Sequence, residues 1–221
     1  MRGRTGLQAR DEVPGPGRRP PPCLPGFEGV RRYWDPVHRR FVAKILPGEF
    51  YVTDDGEELL ATVLGSCVAA CVRDPVAGVG GMNHFMLPVA GEAEPRPEAP
   101  SAAARYGAYA MEALINEVLK HGGRRERLEV KVAGGGELVS ARIGRANAEF
   151  VRRYLEHEGL EVAAADLGGP WPRKVLYLPA TGKMRVRKLR RLHNTTIAER
   201  EQDYLHTLEA VAPRGSVELW D

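Results

Sequence analysis

Two neighbouring stretches decide the fold, LGSCVAAC at residues 64–71 and GGMNHFMLP at residues 80–88. Each is apolar enough to form a buried strand, and the Asp-Pro pair at residues 74–75 predicts a turn between them, so the two should lie side by side. The first stretch carries Cys67 and the second carries His84. A thiol and an imidazole delivered by neighbouring segments are the minimum equipment for nucleophilic cysteine catalysis.

Both residues also have a purely structural interpretation. Free cysteine is among the most buried residue types, and a histidine inside an apolar run is often a hydrogen-bonded core residue. The setting of Cys67 favours chemistry, because Gly65-Ser66 permits a tight backbone whose N–H groups can bind an oxyanion and lower the pKa of the thiol. Gly80-Gly81 lets another segment approach His84 closely. Cys71, further along the same run, is interpreted as a core residue.

Composition limits the class of protein. A chain of 221 residues with 43% hydrophobic content can bury one sizeable core, which predicts one domain. The first 26 residues hold five arginines and two acids, which leaves 27 basic and 27 acidic residues in the rest of the chain. A neutral body argues against a nucleic-acid-binding protein. Residues 1–26, rich in Arg, Gly and Pro, predict a disordered tail, followed by a single domain over residues 27–221 with a short C-terminal extension.

The cysteines and the hydropathy pattern predict a cytoplasmic protein. Three widely spread cysteines do not form a secreted disulfide framework. On a strand, Cys67 and Cys71 would lie roughly 13 Å apart, too far for a disulfide, and Cys23 is expected to be an exposed thiol in the tail. No apolar run approaches the ~20 residues that span a bilayer, and the N-terminus lacks a signal-peptide core. We therefore expect no membrane insertion.

The pattern of elements predicts an α+β layered fold. Helices are expected over residues 106–120, 145–158 and 197–208. Strands are expected over residues 49–53, 59–72 with an interruption at 65–66, 79–87, 128–132 and from 160, with a hairpin of 175–178 and 184–189. Residues 89–104 predict a surface loop. Because strands and helices do not alternate strictly, a doubly wound parallel sheet is disfavoured.

Other chemistries find less support. Cys67, Cys71 and His84 lack the paired short spacing of structural zinc sites, so no metal is expected. Three glycines at residues 134–136 lack the Lys-Ser/Thr of a phosphate-binding loop and predict a turn. The basic run KMRVRKLRR at residues 183–191 is either a solvated strand edge or a docking surface for an acidic helical partner.

The two opening stretches together resemble the signature of the CheD family, the chemoreceptor glutamine deamidases. The similarity covers nearly the whole chain after residue 26. The further matching segments are Pro47-Gly48-Glu49, Val132-Ala133-Gly134-Gly135, Ile143-Gly144 followed by Asn147, Gly168-Gly169 and Thr181-Gly182-Lys183.

The resemblance implies a layered fold similar to that of the cytotoxic-necrotizing-factor deamidase toxins, with β-sheets in layers and helices outside. It implies a protein-glutamine glutaminase that hydrolyses selected glutamine side chains of methyl-accepting chemotaxis receptors to glutamate. By position, Cys67 matches the family nucleophile and His84 the general base. No cofactor is implied.

One position departs from the family pattern. The family also uses a threonine expected six residues before the cysteine, where this chain has Ala61, while Thr62 stands five before. On an unbroken strand an odd offset would put Thr62 and Cys67 on opposite faces. A bulge at Gly65 would reset this parity, which makes Thr62 the candidate third member of the site.

Two other functions stay open on the sequence. The chain could be a non-catalytic regulatory module that binds chemoreceptors or a response-regulator phosphatase of the CheC type, which is also a possible partner of the enzyme. It could also be a cysteine hydrolase acting on a small amide.

Overall fold

The computed structural model describes residues 19–88, 102–190 and 195–211. Its strands are β1 (Arg31–Asp35), β2 (Arg40–Lys44), β3 (Phe50–Thr53), β4 (Leu59–Leu64), β5 (Val68–Asp74), β6 (Val79–Asn83), β7 (Glu129–Gly134), β8 (Val162–Leu167), β9 (Arg173–Leu178) and β10 (Lys183–Lys188). Its helices are α1 (Ala102–Lys120), α2 (Ala141–His157) and α3 (Thr195–Val211), with a 3₁₀ turn at Arg125–Arg127. The mixed α+β architecture agrees with the prediction.

The strands form two five-stranded sheets. The first has the order β1-β2-β4-β9-β10 and the second the order β3-β6-β5-β7-β8. Most pairs are antiparallel, while β2 with β4 and β7 with β8 are parallel. The predicted hairpin of β5 and β6 is present, with Cys71 opposite Met82, and so is the hairpin of β9 and β10.

The second sheet is the middle layer of the molecule. One of its faces contacts the first sheet, as the approach of the Cys71 and Met184 sulfur atoms to 4.0 Å shows. Its other face carries α1 and α2. Nearly all of β5 is therefore buried on both faces, whereas β9 of the first sheet alternates buried and half-buried residues. This explains why β5 reads as a continuous apolar run and gives no alternation.

The expected interrupted strand over residues 59–72 is two strands in different sheets. The chain leaves the first sheet at Leu64, turns through Gly65-Ser66-Cys67, and enters the second sheet at Val68. This three-residue segment is called the elbow below. It joins the two sheets, and the parity of a single strand does not apply across it.

The other differences lie at element ends. Helix α2 begins four residues before the predicted start because the Ser140 hydroxyl accepts the Arg142 N–H and caps it. Helix α1 begins at Ala102, inside the predicted loop, and the rest of that loop lies outside the described residues. Cys23, expected to be exposed, is half-buried and packs against the core. The helices of the described part are each too short or too polar to cross a bilayer.

Candidate active site

The elbow places Cys67 at the point where the two sheets diverge. Its side chain is fully buried. The glycine turn after β7 supports the segment from below, since the Gly135 N–H donates to the Cys67 carbonyl at 2.7 Å and the Gly136 N–H donates to the Gly65 carbonyl at 2.9 Å. The predicted turn at these glycines is therefore a support for the elbow.

Asn147 of α2 ties the two opening stretches together. Its side-chain amide donates to the Ser66 carbonyl at 2.8 Å, and its oxygen accepts the Leu87 N–H at 2.8 Å. The Ser66 hydroxyl in turn accepts the Val139 N–H. Because Asn147 is fully buried and uses both ends of its amide, it holds the elbow against the segment that follows His84.

His84 follows the end of β6 and is 2% exposed. Its backbone is fixed on both sides, because its N–H donates to the Glu49 carbonyl and its carbonyl accepts the Gly48 N–H. Burial lowers the pKa of His84 to about 4, so the imidazole is neutral at neutral pH.

Thr62 of β4 reaches His84 across the gap between the sheets. The Thr62 Oγ1 lies 2.8 Å from the His84 Nδ1 and 2.8 Å from the Ile45 carbonyl oxygen. A hydroxyl can donate one hydrogen bond, and the Thr62 hydroxyl donates it to the Ile45 carbonyl oxygen. The Thr62 oxygen therefore accepts a hydrogen bond from the His84 Nδ1–H. That arrangement leaves the proton on Nδ1 and the lone pair on Nε2, and Nε2 is buried without a hydrogen-bond partner in the described structure.

A residue that the sequence analysis missed completes the cluster. Glu201 of α3 is 1% exposed, and its carboxylate accepts the N–H groups of Gly65, Ser66 and Cys67 at 2.7, 2.6 and 3.2 Å. Potential ligand atoms of Cys67, His84 and Glu201 all lie within 4.8 Å of one another. The available signal was an acid at position 201 flanked at helical spacing by Ile197, Ala198, Tyr204 and Leu205.

The electrostatics of the thiol contradict one expectation. Burial raises the pKa of Cys67 well above its ordinary value, and the negative charge of Glu201 raises it further. The backbone N–H contribution has the expected lowering direction but is the smallest of the causes. With α3 in place the thiol is therefore protonated, because burial and the neighbouring carboxylate both disfavour a thiolate.

Cys67, His84 and Glu201 are also the described residues that could hold a metal ion. Thiolate, imidazole and carboxylate are a donor set that zinc accepts. Both Glu201 oxygens already accept backbone N–H groups, however, and the carboxylate is thereby committed to the elbow. The arrangement fits a proton-transfer pair beside a bound carboxylate better than a metal cage.

A cavity of about 320 Å³ opens beside His84 and Thr62. Among the described residues that line it, the permanently charged ones are all cations, namely Arg31, Lys44, Lys174 and Arg200. Burial lowers the pKa of Lys44, and the charges of Arg200 and Arg31 lower it further. The His84 side of the cluster therefore faces an electropositive cavity, and the charge of Arg200 adds to burial in lowering the pKa of His84.

Comparison with known proteins adds a family context. A family model described as CheD chemotactic sensory transduction matches residues 86–188. A probable chemoreceptor glutamine deamidase CheD of Halorhodospira halophila is 52% identical over 208 residues, covering 90% of this chain and 94% of the relative. The protein of the same name from Hahella chejuensis is 50% identical, covering 91% and 95%. A solved Neisseria meningitidis protein of the DUF152 family aligns with a TM-score of 0.34 at 12% identity, over 58% of this chain and 62% of that one.

Proposed function

The chain belongs to the CheD family, and on that premise we propose that it is a chemoreceptor glutamine deamidase in which Cys67, His84 and Thr62 carry the reaction. The enzyme hydrolyses glutamine side-chain amides of methyl-accepting chemotaxis receptors to glutamate and releases ammonia. The observation that supports these residue roles most directly is the hydrogen bond from His84 Nδ1 to Thr62. It leaves Nε2, unpaired in the described part of the chain, as the basic nitrogen of a ring that has a nitrogen within 4.8 Å of the Cys67 sulfur.

The first half of the reaction forms a thioester. His84 Nε2 takes the Cys67 proton as the thiolate attacks the glutamine Cδ. The carbonyl oxygen becomes an oxyanion, which the N–H groups of Gly65, Ser66 and Cys67 stabilise. The tetrahedral intermediate collapses, the C–N bond breaks, and the proton on His84 passes to the departing nitrogen, so that ammonia leaves.

The second half regenerates the thiol. Water loses a proton to His84 and attacks the thioester carbon, with the same backbone N–H groups holding the new oxyanion. The C–S bond then breaks, and the Cys67 sulfur regains its proton from His84 while glutamate is released. These steps require neither a metal nor a cofactor.

Thr62 acts in this scheme as a positioning residue. It accepts the Nδ1 proton of His84 and is itself held by the Ile45 carbonyl, so it fixes both the orientation and the tautomer of the ring. A carboxylate performs this role in many catalytic triads. A neutral hydroxyl suits the present site, because a negative charge in addition to that of Glu201 would further oppose ionisation of the fully buried thiol.

Mass spectrometry of receptor fragments incubated with the protein tests the proposal. Conversion of glutamine to glutamate should occur with the wild type and stop with Cys67→Ala. Cys71→Ala is the matched control, since Cys71 is equally buried, lies on the adjoining strand β5 and has no assigned role, and it should keep the activity. Conversion that survives Cys67→Ala would refute the assignment, and conversion of free glutamine but not of receptor would favour a small-amide hydrolase.

The location and a second partner complete the proposal. All three cysteines are free, which supports action in the reducing cytoplasm. Strand β10 is an edge strand whose Lys183, Arg185 and Arg187 are exposed, a surface suited to an acidic partner such as a CheC-type phosphatase. Charge reversal of Arg185 and Arg187 should abolish such an association in titration calorimetry, and an unchanged affinity would exclude β10 as the surface.

A further inference from the structure

Helix α3 carries a carboxylate where an amphipathic helix normally carries its most buried apolar side chain. Of the α3 side chains that the structure describes, Glu201 alone is buried. The half-buried residues Ile197, Ala198, Tyr204 and Leu205 lie one turn to either side of it. Tyr204 also meets Tyr106 of α1 through their hydroxyl groups. The helix is therefore docked around one glutamate.

Glu201 occupies the groups that the reaction needs. Its Oε1 accepts the N–H groups of Gly65 and Cys67, and its Oε2 accepts that of Ser66. A glutamate side chain is the product of glutamine deamidation, and its carboxylate differs from the substrate amide by one oxygen in place of NH₂. The elbow thus holds, from within its own chain, the group that it would release after each turnover.

The docked carboxylate does not resemble a catalytic member of the cluster. A carboxylate that assists a histidine base hydrogen-bonds the ring nitrogen remote from the nucleophile, and that nitrogen of His84 is bonded to Thr62. Glu201 instead spends both oxygens on backbone N–H groups, and its charge opposes ionisation of the thiol. It therefore occupies the substrate's place and gives no help to the dyad.

We propose that α3 is an internal product mimic, which excludes the substrate glutamine from the elbow. A helical segment of the substrate protein displaces α3 and places its own glutamine at the position that the Glu201 side chain occupies. The inference rests on the proposed function and extends it to the mode of substrate recognition. The displacing segment is expected to be a helix because the surface at the elbow already binds one, namely α3, with a glutamate side chain at its centre.

The sharpest test turns the mimic into a substrate. In Glu201→Gln the amide oxygen can keep the Gly65 and Cys67 N–H groups, which places the amide carbon beside the thiol. We expect the full-length variant to convert the introduced glutamine back to glutamate by itself, seen as a gain of about one dalton in the peptide that contains position 201. Glu201→Gln combined with Cys67→Ala is the control and should keep its glutamine.

A second experiment measures release of the site. Glu201→Ala should increase kcat/KM on a receptor fragment at least about tenfold, mainly through a lower KM, because a larger fraction of molecules is competent to bind. Alkylation of Cys67 by iodoacetamide, followed on its own peptide, should accelerate by a similar factor. Glu199→Ala, an exposed acid on the same helix, should change neither quantity.

The outcomes separate this inference from the proposed function. If the wild type deamidates receptor through Cys67 but the glutamine of Glu201→Gln persists and Glu201→Ala is no faster, the mimic is refuted and the function stands. A loss of activity in Glu201→Ala would also refute the mimic and make Glu201 a catalytic residue.

Two other outcomes concern the site itself. If no variant deamidates any glutamine while Cys67 of Glu201→Ala is alkylated faster, α3 covers the site and the proposed function is wrong. Zinc protection of Cys67 that depends on Glu201 would refute the mimic in favour of a metal site.

Discussion

In the described part of the chain, two buried carboxylates each accept three backbone N–H groups, and they have opposite roles. Asp74, at the end of β5, accepts the N–H groups of Val76 and Ala77 in its own turn and that of Arg124 after α1, and pairs with the Arg127 guanidinium at 2.6 Å. Burial disfavours its charge, yet these bonds hold the pKa of Asp74 well below its usual range. The turn, the strand and the segment after α1 are fastened by it.

Glu201 accepts as many N–H groups but lies on the last helix, 134 to 136 residues along the chain from the elbow that it binds. It faces a thiol and an imidazole where Asp74 faces a guanidinium. The contrast teaches that burial and hydrogen-bond number do not distinguish a structural carboxylate from a removable one. What distinguishes them is the source of the donors and the presence of a counter-ion.

The largest expected difference between the two carboxylates is in the free energy of unfolding that is lost when each is replaced by alanine. Asp74→Ala deprives three N–H groups and a guanidinium of their acceptor, and we expect about 4 kcal/mol less free energy of unfolding. Glu201→Ala should lose only about 1.5 to 2 kcal/mol, the docking free energy that a tenfold release implies, because α3 can undock and expose the elbow to water. Urea denaturation at neutral pH measures both, and equal losses would contradict the distinction.

Acid should loosen the two regions at different pH values. The pKa of His84 is about 4 in the folded protein and near 6.5 when unfolded, so the unfolded chain binds the extra proton between these values. Stability should therefore fall by roughly 3 kcal/mol as pH drops from 6.5 to 4. The pKa of Asp74 is lowered, so its contribution is lost only below the ordinary aspartate range.

Thermal unfolding across this pH range checks the order of loss. His84→Asn should flatten the change between pH 6.5 and 4 and leave the steeper loss at lower pH. A His84→Asn variant with the same pH dependence as the wild type would remove His84 as its cause.

Thr62→Val tests whether Thr62 belongs to the catalytic region. The change keeps the shape of the side chain but removes the acceptor for His84 Nδ1–H, so the wrong tautomer becomes accessible. We expect kcat to fall about 10- to 100-fold with KM little changed. Thr62→Ser should restore most of the rate and the pH profile of kcat, and a failure of serine to do so would indicate a packing role instead.

The smallest expected difference between the two regions is the effect of adding a methyl group at a glycine in each. Gly78, in the Asp74 turn, has φ +73° and open space around it, so Gly78→Ala should cost about 1 kcal/mol and leave α3 docked. A Cβ at Gly65 would lie 2.5 Å from the Glu201 Oε2 and 2.8 Å from Leu138, so Gly65→Ala should undock α3. Limited proteolysis near α3 should then increase in Gly65→Ala only, and equal rates in both variants would contradict the close fit.

Local sequence patterns were sufficient for much of the fold. The apolar runs around the Asp-Pro turn predicted the β5–β6 hairpin, and helical spacing ending at His121-Gly122 predicted the end of α1. The placement of Cys67 near His84 followed from the same hairpin. These features depend on residues close together in the chain, where turn chemistry and periodicity act directly.

The parts that escaped prediction depend on distant contacts. A run buried on both faces looks the same whether it continues in one sheet or crosses to another, so the sequence alone predicts a bulge or break within one strand at the elbow. The parity argument against Thr62 failed to apply for this reason. Glu201 was out of reach because its three partners are elsewhere in the sequence, and a glutamate in a surface-type helix is ordinary until its docking is known.

The covalent link between α3 and the catalytic body has a consequence for how the protein responds to its surroundings. A tethered ligand is present at a fixed effective concentration, of millimolar order for a short connection, whatever the concentration of the protein. Dilution cannot relieve it, and a scarce substrate competes poorly. Such an enzyme would act mainly where its targets are crowded together, so that the density of receptors, rather than their total number in the cell, would set the rate.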